Sequence, residues 1–241
     1  MALQSVRLKS RQTVAEGTMA FHFDKPAGFE FKAGQAIDLV LPGLAASPDA
    51  PESRHAFSIV AAPFEGELVT ATRMRDSAYK RVLRELPIGT EVAVDGPFGS
   101  LTLHKKAARA AVLIAGGIGI TPFMSILRQA AYDHLQQDLL LLYSNRRPED
   151  TAFLSELQQL QRDNPRFRLL ATMTDMGKSA QTWDGSTQMI DANFVRAAIA
   201  ELNEPICYLS GPPGMVAAMR GVLTAAGVDE DDVRSEEFYG Y

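Results

Sequence analysis

The chain has 241 residues, 46% of them hydrophobic and 22% charged, with a formal net charge of −5. That balance is ordinary for globular domains, and the length suffices for one large core or two small ones. No run of Lys and Arg marks a nucleic-acid surface, no apolar stretch approaches a membrane span, and the opening MALQSVRLKSRQ lacks a signal-peptide core, so a cytoplasmic protein without a nucleic-acid partner is expected.

A single cysteine, Cys207, and four scattered histidines exclude an internal disulfide, a Cys-rich zinc site and a four-cysteine iron–sulfur cluster, and no metal site is expected. Neither a Ser-centred nucleophile elbow nor a paired-carboxylate signature is present. Any chemistry therefore falls to a bound organic cofactor.

From Leu3 to about Leu103 the segments are short, alternating and separated by turn residues. The pattern predicts strands over 6–10, 19–23, 36–41, 56–61, 67–74 and 91–94, which together suggest a small antiparallel barrel. One helix over 78–86 interrupts them, with Tyr79, Val82, Leu83 and Leu86 at helical spacing and Pro87 as its stop. The stretch LPGLAASPDAPES between the third and fourth strands reads as a mobile loop.

Beyond residue 106 the texture changes. The stretch 112–127, VLIAGGIGITPFMSIL, opens in an apolar run suited to a strand buried on both faces. Gly116, Gly117 and Gly119 follow; Thr121 is a candidate helix cap, and Pro122 fits the first helical turn. A strand, a glycine loop and a helix N-terminus in that order form an anion site, and a pyrophosphate is the expected ligand. Apolar runs at 139–143, 167–171 and 206–209 alternate with helical patterns near 151–162, 191–202 and 214–226. Such alternation implies right-handed crossovers, a parallel sheet and ligands at the carboxyl ends of its strands. The expected architecture is a β-barrel domain over 1–106 followed by an α/β nucleotide-binding domain over 107–241.

Further motifs accompany the glycine loop: Arg54-His55-Ala56-Phe57-Ser58-Ile59 at a strand start, Gly-Pro-Phe-Gly at 96–99, and Ser210-Gly211-Pro212-Pro213-Gly214-Met215 after an apolar run. An Arg can grip a phosphate, an aromatic can stack on a flat ring, and a Ser can hydrogen-bond a heteroatom. In this order, with Phe31-Lys32-Ala33-Gly34-Gln35 ahead of the third strand, the motifs resemble the ferredoxin–NADP reductase family of flavoproteins over essentially the whole chain.

The resemblance implies an FAD-binding barrel and an NAD(P)-binding domain in one reductase module, without the iron–sulfur domain that some relatives carry. Arg54 would hold the FAD pyrophosphate, Phe57 would pack on the flavin, and Ser58 would sit beside the flavin N5 atom. Thr72, Arg73 and Met74 would line the FAD, and Tyr79 and Lys80 open the helix that receives its pyrophosphate. Gly116, Gly117, Gly119, Thr121 and Pro122 would bind the nicotinamide nucleotide, with Gly211, Pro212 and Met215 on its nicotinamide side. The chain departs from the family at Phe57, where Tyr is usual, and at Ser210, where Cys is common; Ser210 still offers the nicotinamide a polar contact. A C-terminal aromatic, Phe238 or Tyr241, would cover the flavin face and move aside in turnover.

After the run at 139–143, Ser144, Asn145, Arg146 and Arg147 stand where an acid would favour NAD and an Arg favours the extra phosphate of NADP, so NADPH is preferred to NADH. Electrons would pass to a separate acceptor, such as a ferredoxin, a flavodoxin, an oxygenase component or a small molecule. A reductase of diffusible flavin or quinone, or a low-turnover flavin-binding subunit of a larger complex, are the alternatives.

Overall fold

Alternating apolar and polar positions in the first hundred residues place one side of each strand in a core and the other in water. In the computed structural model, which describes residues 3–44 and 51–238, this yields β1 (Gln4–Ala15), β2 (Thr18–Asp24), β3 (Ala36–Val40), β4 (Arg54–Ser58), β5 (Glu67–Arg73) and β6 (Glu91–Phe98). They form an antiparallel sheet in the order β4-β3-β6-β1-β2-β5. Just past β4 the Val60 N–H donates to the Val69 carbonyl of β5 (2.7 Å), which joins the two ends of the sheet and rolls it into a barrel. Phe21, Phe23, Ile37, Leu39 and Leu68 fill its interior with no measurable exposure.

Two strand bounds differ from the sequence pattern. The fourth strand is Arg54–Ser58 rather than 56–61, because residues 54–58 pair with Ala36–Val40 and residues 59–60 leave that ladder to bridge to Gln35 and Val69. The sixth runs on through Gly96 and Pro97 to Phe98, which pairs with Ala36. The helix α1 (Ala78–Glu85) has Ser77 as its N-cap, whose hydroxyl accepts from the Lys80 N–H (3.2 Å), and it turns Tyr79 and Leu83 inward. Residues 45–50 of the loop expected to be mobile lie outside the described residues.

The second unit is a parallel sheet of β7 (Ala111–Gly116), β8 (Leu139–Asn145), β9 (Phe167–Met173), β10 (Ile206–Gly211) and β11 (Val233–Glu237), in the order β11-β10-β7-β8-β9. Its crossovers contain α2 (Thr121–Tyr132), α3 (Leu154–Asp163), α4 (Ala192–Ile199) and α5 (Pro213–Ala226). Residues 111–115 are wholly buried, as an apolar strand with helices on both faces must be. Among the described residues no helix is long and apolar enough to cross a membrane.

Polar contacts fix the two units against each other. From α2, the Ser125 hydroxyl donates to the Ala61 carbonyl (2.6 Å), and the Arg128 guanidinium binds Glu156 of its own unit (2.6 and 2.9 Å) together with Glu65 of the barrel (3.3 Å). Arg147 reaches Glu16 at the β1–β2 turn (2.9 Å), whose N–H donates to the Glu149 carbonyl (2.7 Å). In the connection between the units, His104 Nδ1 shares a hydrogen bond with the Tyr208 hydroxyl (2.7 Å), while Nε2 contacts the Arg109 carbonyl (3.1 Å) and the Gln137 amide nitrogen (2.7 Å). Burial holds the His104 pKa below its ordinary value, which favours the neutral imidazole.

Candidate functional site

The chain leaves β7 to one side, through β8 and β9, and returns on the other to β10. The strand order therefore reverses between β7 and β10, where open parallel sheets bind ligands at their carboxyl ends. Two glycine loops meet at this point. One is the 3-10 turn Gly117–Ile120 between Gly116 and α2, with Gly117 in the left-handed region (φ 54°); the other links Gly211 to α5. They are pressed together: a Cβ on Gly119 would run into the Ser210 carbonyl, and one on Gly116 would lie 3.3 Å from the Met215 side chain. Part of the glycine density thus serves loop-on-loop packing, a reason that local sequence does not reveal.

Thr121 is not the cap expected of it. Ile120 occupies the N-cap position, and Thr121, already helical and 3% exposed, donates its hydroxyl to the Ile118 carbonyl (3.0 Å). Its side chain competes for a backbone acceptor rather than satisfying an orphan N–H. Pro122 stands in the first turn, where its missing donor costs nothing.

In front of these loops lies a cleft of about 480 Å³ between the two units. Of the residues expected to bind cofactor, Gly116, Gly117, Ser144, Asn145, Arg146, Pro212 and Met215 line it, and Arg73 joins them from the barrel. Gly119, Thr121, Pro122 and Gly211 are buried and do not line it. Arg146 and Arg147, adjacent in sequence, have different roles. Arg147 forks onto Asp150 (2.9 Å twice) and Glu16, and these carboxylates hold its pKa above the usual value. Arg73 lies 3.6 Å from Asp150. Arg146 has neither ion pair nor side-chain hydrogen bond among the described residues.

At the carboxyl edge of β10, Ser210 sits in register between Ala115 of β7 and Glu236 of β11. The Ser210 Oγ and Glu236 Oε2 atoms are both buried without a hydrogen-bond partner. Desolvation raises the Glu236 pKa above the usual carboxylate value. Burial pushes the Cys207 thiol up to about 12, which makes it an inert core residue. Phe238 begins the tail with its N–H donating to the Gly211 carbonyl (3.0 Å), while Tyr241 lies outside the described residues.

On the barrel, Arg54 of β4 contacts Asp95 (3.1 Å) and Asp38 (3.7 Å) across the neighbouring strands. Its Nε and the Ser58 Oγ are buried and unpartnered. Phe57 is half-buried and shares a cluster with Tyr79 and His55, whose rings lie 4.2 Å apart, edge to face. The Tyr79 hydroxyl donates to the Leu39 carbonyl (2.7 Å), and Lys80 Nζ donates to the Arg73 carbonyl (2.9 Å). Both side chains are thus engaged within the barrel unit, so what α1 offers a phosphate is backbone N–H. Thr72 is buried, and the Met74 N–H donates to the Gly17 carbonyl (2.7 Å).

The sequence reading missed Glu236 and Ser77, and it left Arg75, in a basic cluster with Arg73, open between a solvated face and a contact to an anionic cofactor. Val233–Glu237 carries Arg234, Ser235, Glu236 and Glu237 and has no strand signature. Arg75 lies beyond β5 in sequence yet lines the cleft of the other unit. Ser77 did have a legible signal, a cap residue just ahead of an apolar helical pattern.

Residues 113–221 match the model of the oxidoreductase NAD-binding domain. Among curated proteins, the glycine betaine monooxygenase reductase subunit of Chromohalobacter salexigens is 28% identical over 232 residues, covering 92% of this chain and 60% of that protein. The propane 2-monooxygenase reductase component of Rhodococcus jostii is 28% identical over 221 residues, covering 89% and 57%. The chain thus spans less than two thirds of these relatives' length. Solved structures with the same fold include an Amycolatopsis cytochrome P450 reductase (TM-score 0.82, 21% identity, 98% of this chain and 70% of that one). A ferredoxin NADP+ reductase from Neisseria gonorrhoeae with bound FAD and NADP aligns with TM-score 0.79 at 20% identity, covering 98% of both chains. With a barrel, a parallel sheet and two glycine loops meeting at its switch point, the chain has the two-unit fold of these reductase structures, and its α/β unit matches the oxidoreductase NAD-binding domain over residues 113–221.

Proposed function

We propose that the chain is an FAD-dependent NAD(P)H reductase that feeds electrons to an oxygenase component, with the barrel over 1–106 holding the flavin and the α/β domain over 107–241 holding the nicotinamide nucleotide. The observation that carries this reading is the set of buried, unpartnered polar atoms found on both units: Arg54 Nε and Ser58 Oγ on the barrel, Ser210 Oγ and Glu236 Oε2 at the sheet edge. Buried polar atoms without partners are rare in native structures and point to a missing ligand. They fit an FAD whose diphosphate meets Arg54 and whose ring meets Ser58 and Phe57.

When bound, FAD supplies the redox chemistry, taking two electrons from the nicotinamide and releasing them to an acceptor. The chain's own residues bind and orient. Arg54 offers a donor fork to a diphosphate, with Asp38 and Asp95 fixing its guanidinium. The α2 N-terminus adds its dipole to the nucleotide site. Ser58 polarises the flavin N5 position, Ser210 and Glu236 provide a polar edge for the nicotinamide, and Phe238 begins a tail that must clear the docking face. Arg146, unpaired on the cleft wall, supports NADPH over NADH. The names of the monooxygenase reductase relatives support an oxygenase component as acceptor over a ferredoxin or flavodoxin.

The test is the visible spectrum of the purified protein, followed under anaerobic addition of NADPH and, separately, NADH. A yellow protein bleached faster by NADPH is expected. A protein unable to take up FAD, or a yellow one bleached by neither nucleotide, overturns the proposal.

A further inference from the structure

We infer that the adenosine 2′-phosphate of NADPH is gripped from both units at once, by Arg146 at the end of β8 and by Arg75 in the β5–α1 connection. The inference rests on the NADPH reading above and names a residue in the barrel that helps set nucleotide specificity.

Among the described residues three arginines line the cleft, and with Arg147, the sequence neighbour of Arg146, they divide into two kinds. Arg147 and Arg73 have a carboxylate: Asp150 takes both nitrogens of the Arg147 fork at 2.9 Å and lies 3.6 Å from Arg73. Arg75 and Arg146 have no ion pair and no side-chain hydrogen bond among the described residues, and both side chains are exposed on the cleft. Asp150 is the sole acid lining that cleft among the described residues, and it is already engaged. In a chain with net charge −5, this leaves a local excess of positive charge in search of an anion.

The backbones that carry these two arginines are fixed while their guanidiniums are not. The Arg75 N–H donates to the Arg73 carbonyl and the Arg75 carbonyl accepts the Ser77 N–H, both at 3.0 Å. The Arg146 carbonyl accepts the Asp175 N–H (2.8 Å), and its neighbour Asn145 accepts the Thr174 N–H (2.9 Å). Arg146 stands at the carboxyl end of the strand next to the glycine-loop strand, the place where parallel nucleotide-binding sheets meet the adenosine ribose. Arg75 faces the same space from the other unit. A phosphate monoester carries a charge of about −1.5 to −2 at neutral pH and three acceptor oxygens, which matches two unpaired guanidiniums. The rival owner of Arg75 is the FAD diphosphate, because Arg75 precedes α1 by only a short connection.

The experiment titrates 2′-AMP and 5′-AMP into the flavin-loaded protein by calorimetry, for wild type, Arg75→Gln, Arg75→Lys and Arg146→Gln, with FAD content measured for each. Wild type is expected to prefer 2′-AMP. Arg75→Gln and Arg146→Gln should each weaken 2′-AMP by about 10-fold or more, the value of one charge-assisted hydrogen bond, with 5′-AMP and FAD content little changed. Arg75→Lys should recover part of the loss. The inference is overturned if Arg75→Gln leaves 2′-AMP binding intact, if it strips FAD instead, or if wild type binds both nucleotides equally. Failure of the broader reading looks different: neither NADPH nor NADH then bleaches the wild-type flavin.

Discussion

Ser210 of β10 and Glu236 of β11 are register partners on adjacent parallel strands, and each keeps a buried side-chain oxygen without a hydrogen-bond partner. Desolvation raises the Glu236 pKa, so the folded state binds its proton more tightly than the unfolded chain does. The stability this proton confers is full below the ordinary carboxylate pKa and is lost as pH rises through the raised value. Glu236→Gln removes that loss. Its thermal midpoint should exceed that of wild type at neutral pH, and the gap should close under acid conditions; a gap constant with pH contradicts the assignment.

His104 gives the opposite sign. Burial lowers its pKa, so its contribution is present above the ordinary histidine value and declines as pH falls through the folded one. Protonation would place a charge in a partly buried contact with the Tyr208 hydroxyl, beside Arg234. The midpoint of wild type should drop between about pH 7 and pH 5, and His104→Gln should flatten that part of the profile. Differential scanning calorimetry across this range reads it directly.

Gly119→Ala would place a methyl against the Ser210 carbonyl, with backbone on the far side and no flexible side chain to yield. The cost should be about 1–3 kcal/mol, as for other overpacking substitutions, seen as a lower denaturant midpoint. Nucleotide affinity should fall as well, because the two loops must separate.

Arg54→Gln should weaken FAD by about 10-fold or more, through loss of charge-assisted bonds. It also leaves Asp38 and Asp95 facing each other without their shared cation. Flavin retained through gel filtration is the readout; retention equal to wild type would reassign the diphosphate site.

Every described strand but Val233–Glu237, the helices and both glycine loops could be read from the chain because each rests on a local pattern: alternation at Phe21 and Phe23, an unbroken apolar run at 111–115, a Pro in the first turn of α2. What could not be read depends on partners far away in sequence. Nothing near Gly119 announces that the Ser210 carbonyl will press on it, and nothing near Arg147 announces Glu16 or separates it from Arg146. The strand Val233–Glu237 is polar in composition and exists because β10 offers it an edge. Tyr79 and Lys80 looked available because they open α1, yet helix geometry turned both inward.

The helix α2 belongs by sequence to one unit, yet Ser125 and Arg128 bond it to Ala61 and Glu65 of the other. Heat should therefore meet a single cooperative body rather than two domains on a hinge, melting in one calorimetric transition whose van't Hoff and measured enthalpies agree. A cut in the connecting segment would strand two incomplete pieces, each missing polar partners for a surface built to be covered. If the proposed nucleotide site lies at the α2 N-terminus, the same coupling carries binding there into the barrel, so a ligand that touches only the sheet edge should also slow hydrogen exchange in the barrel strands.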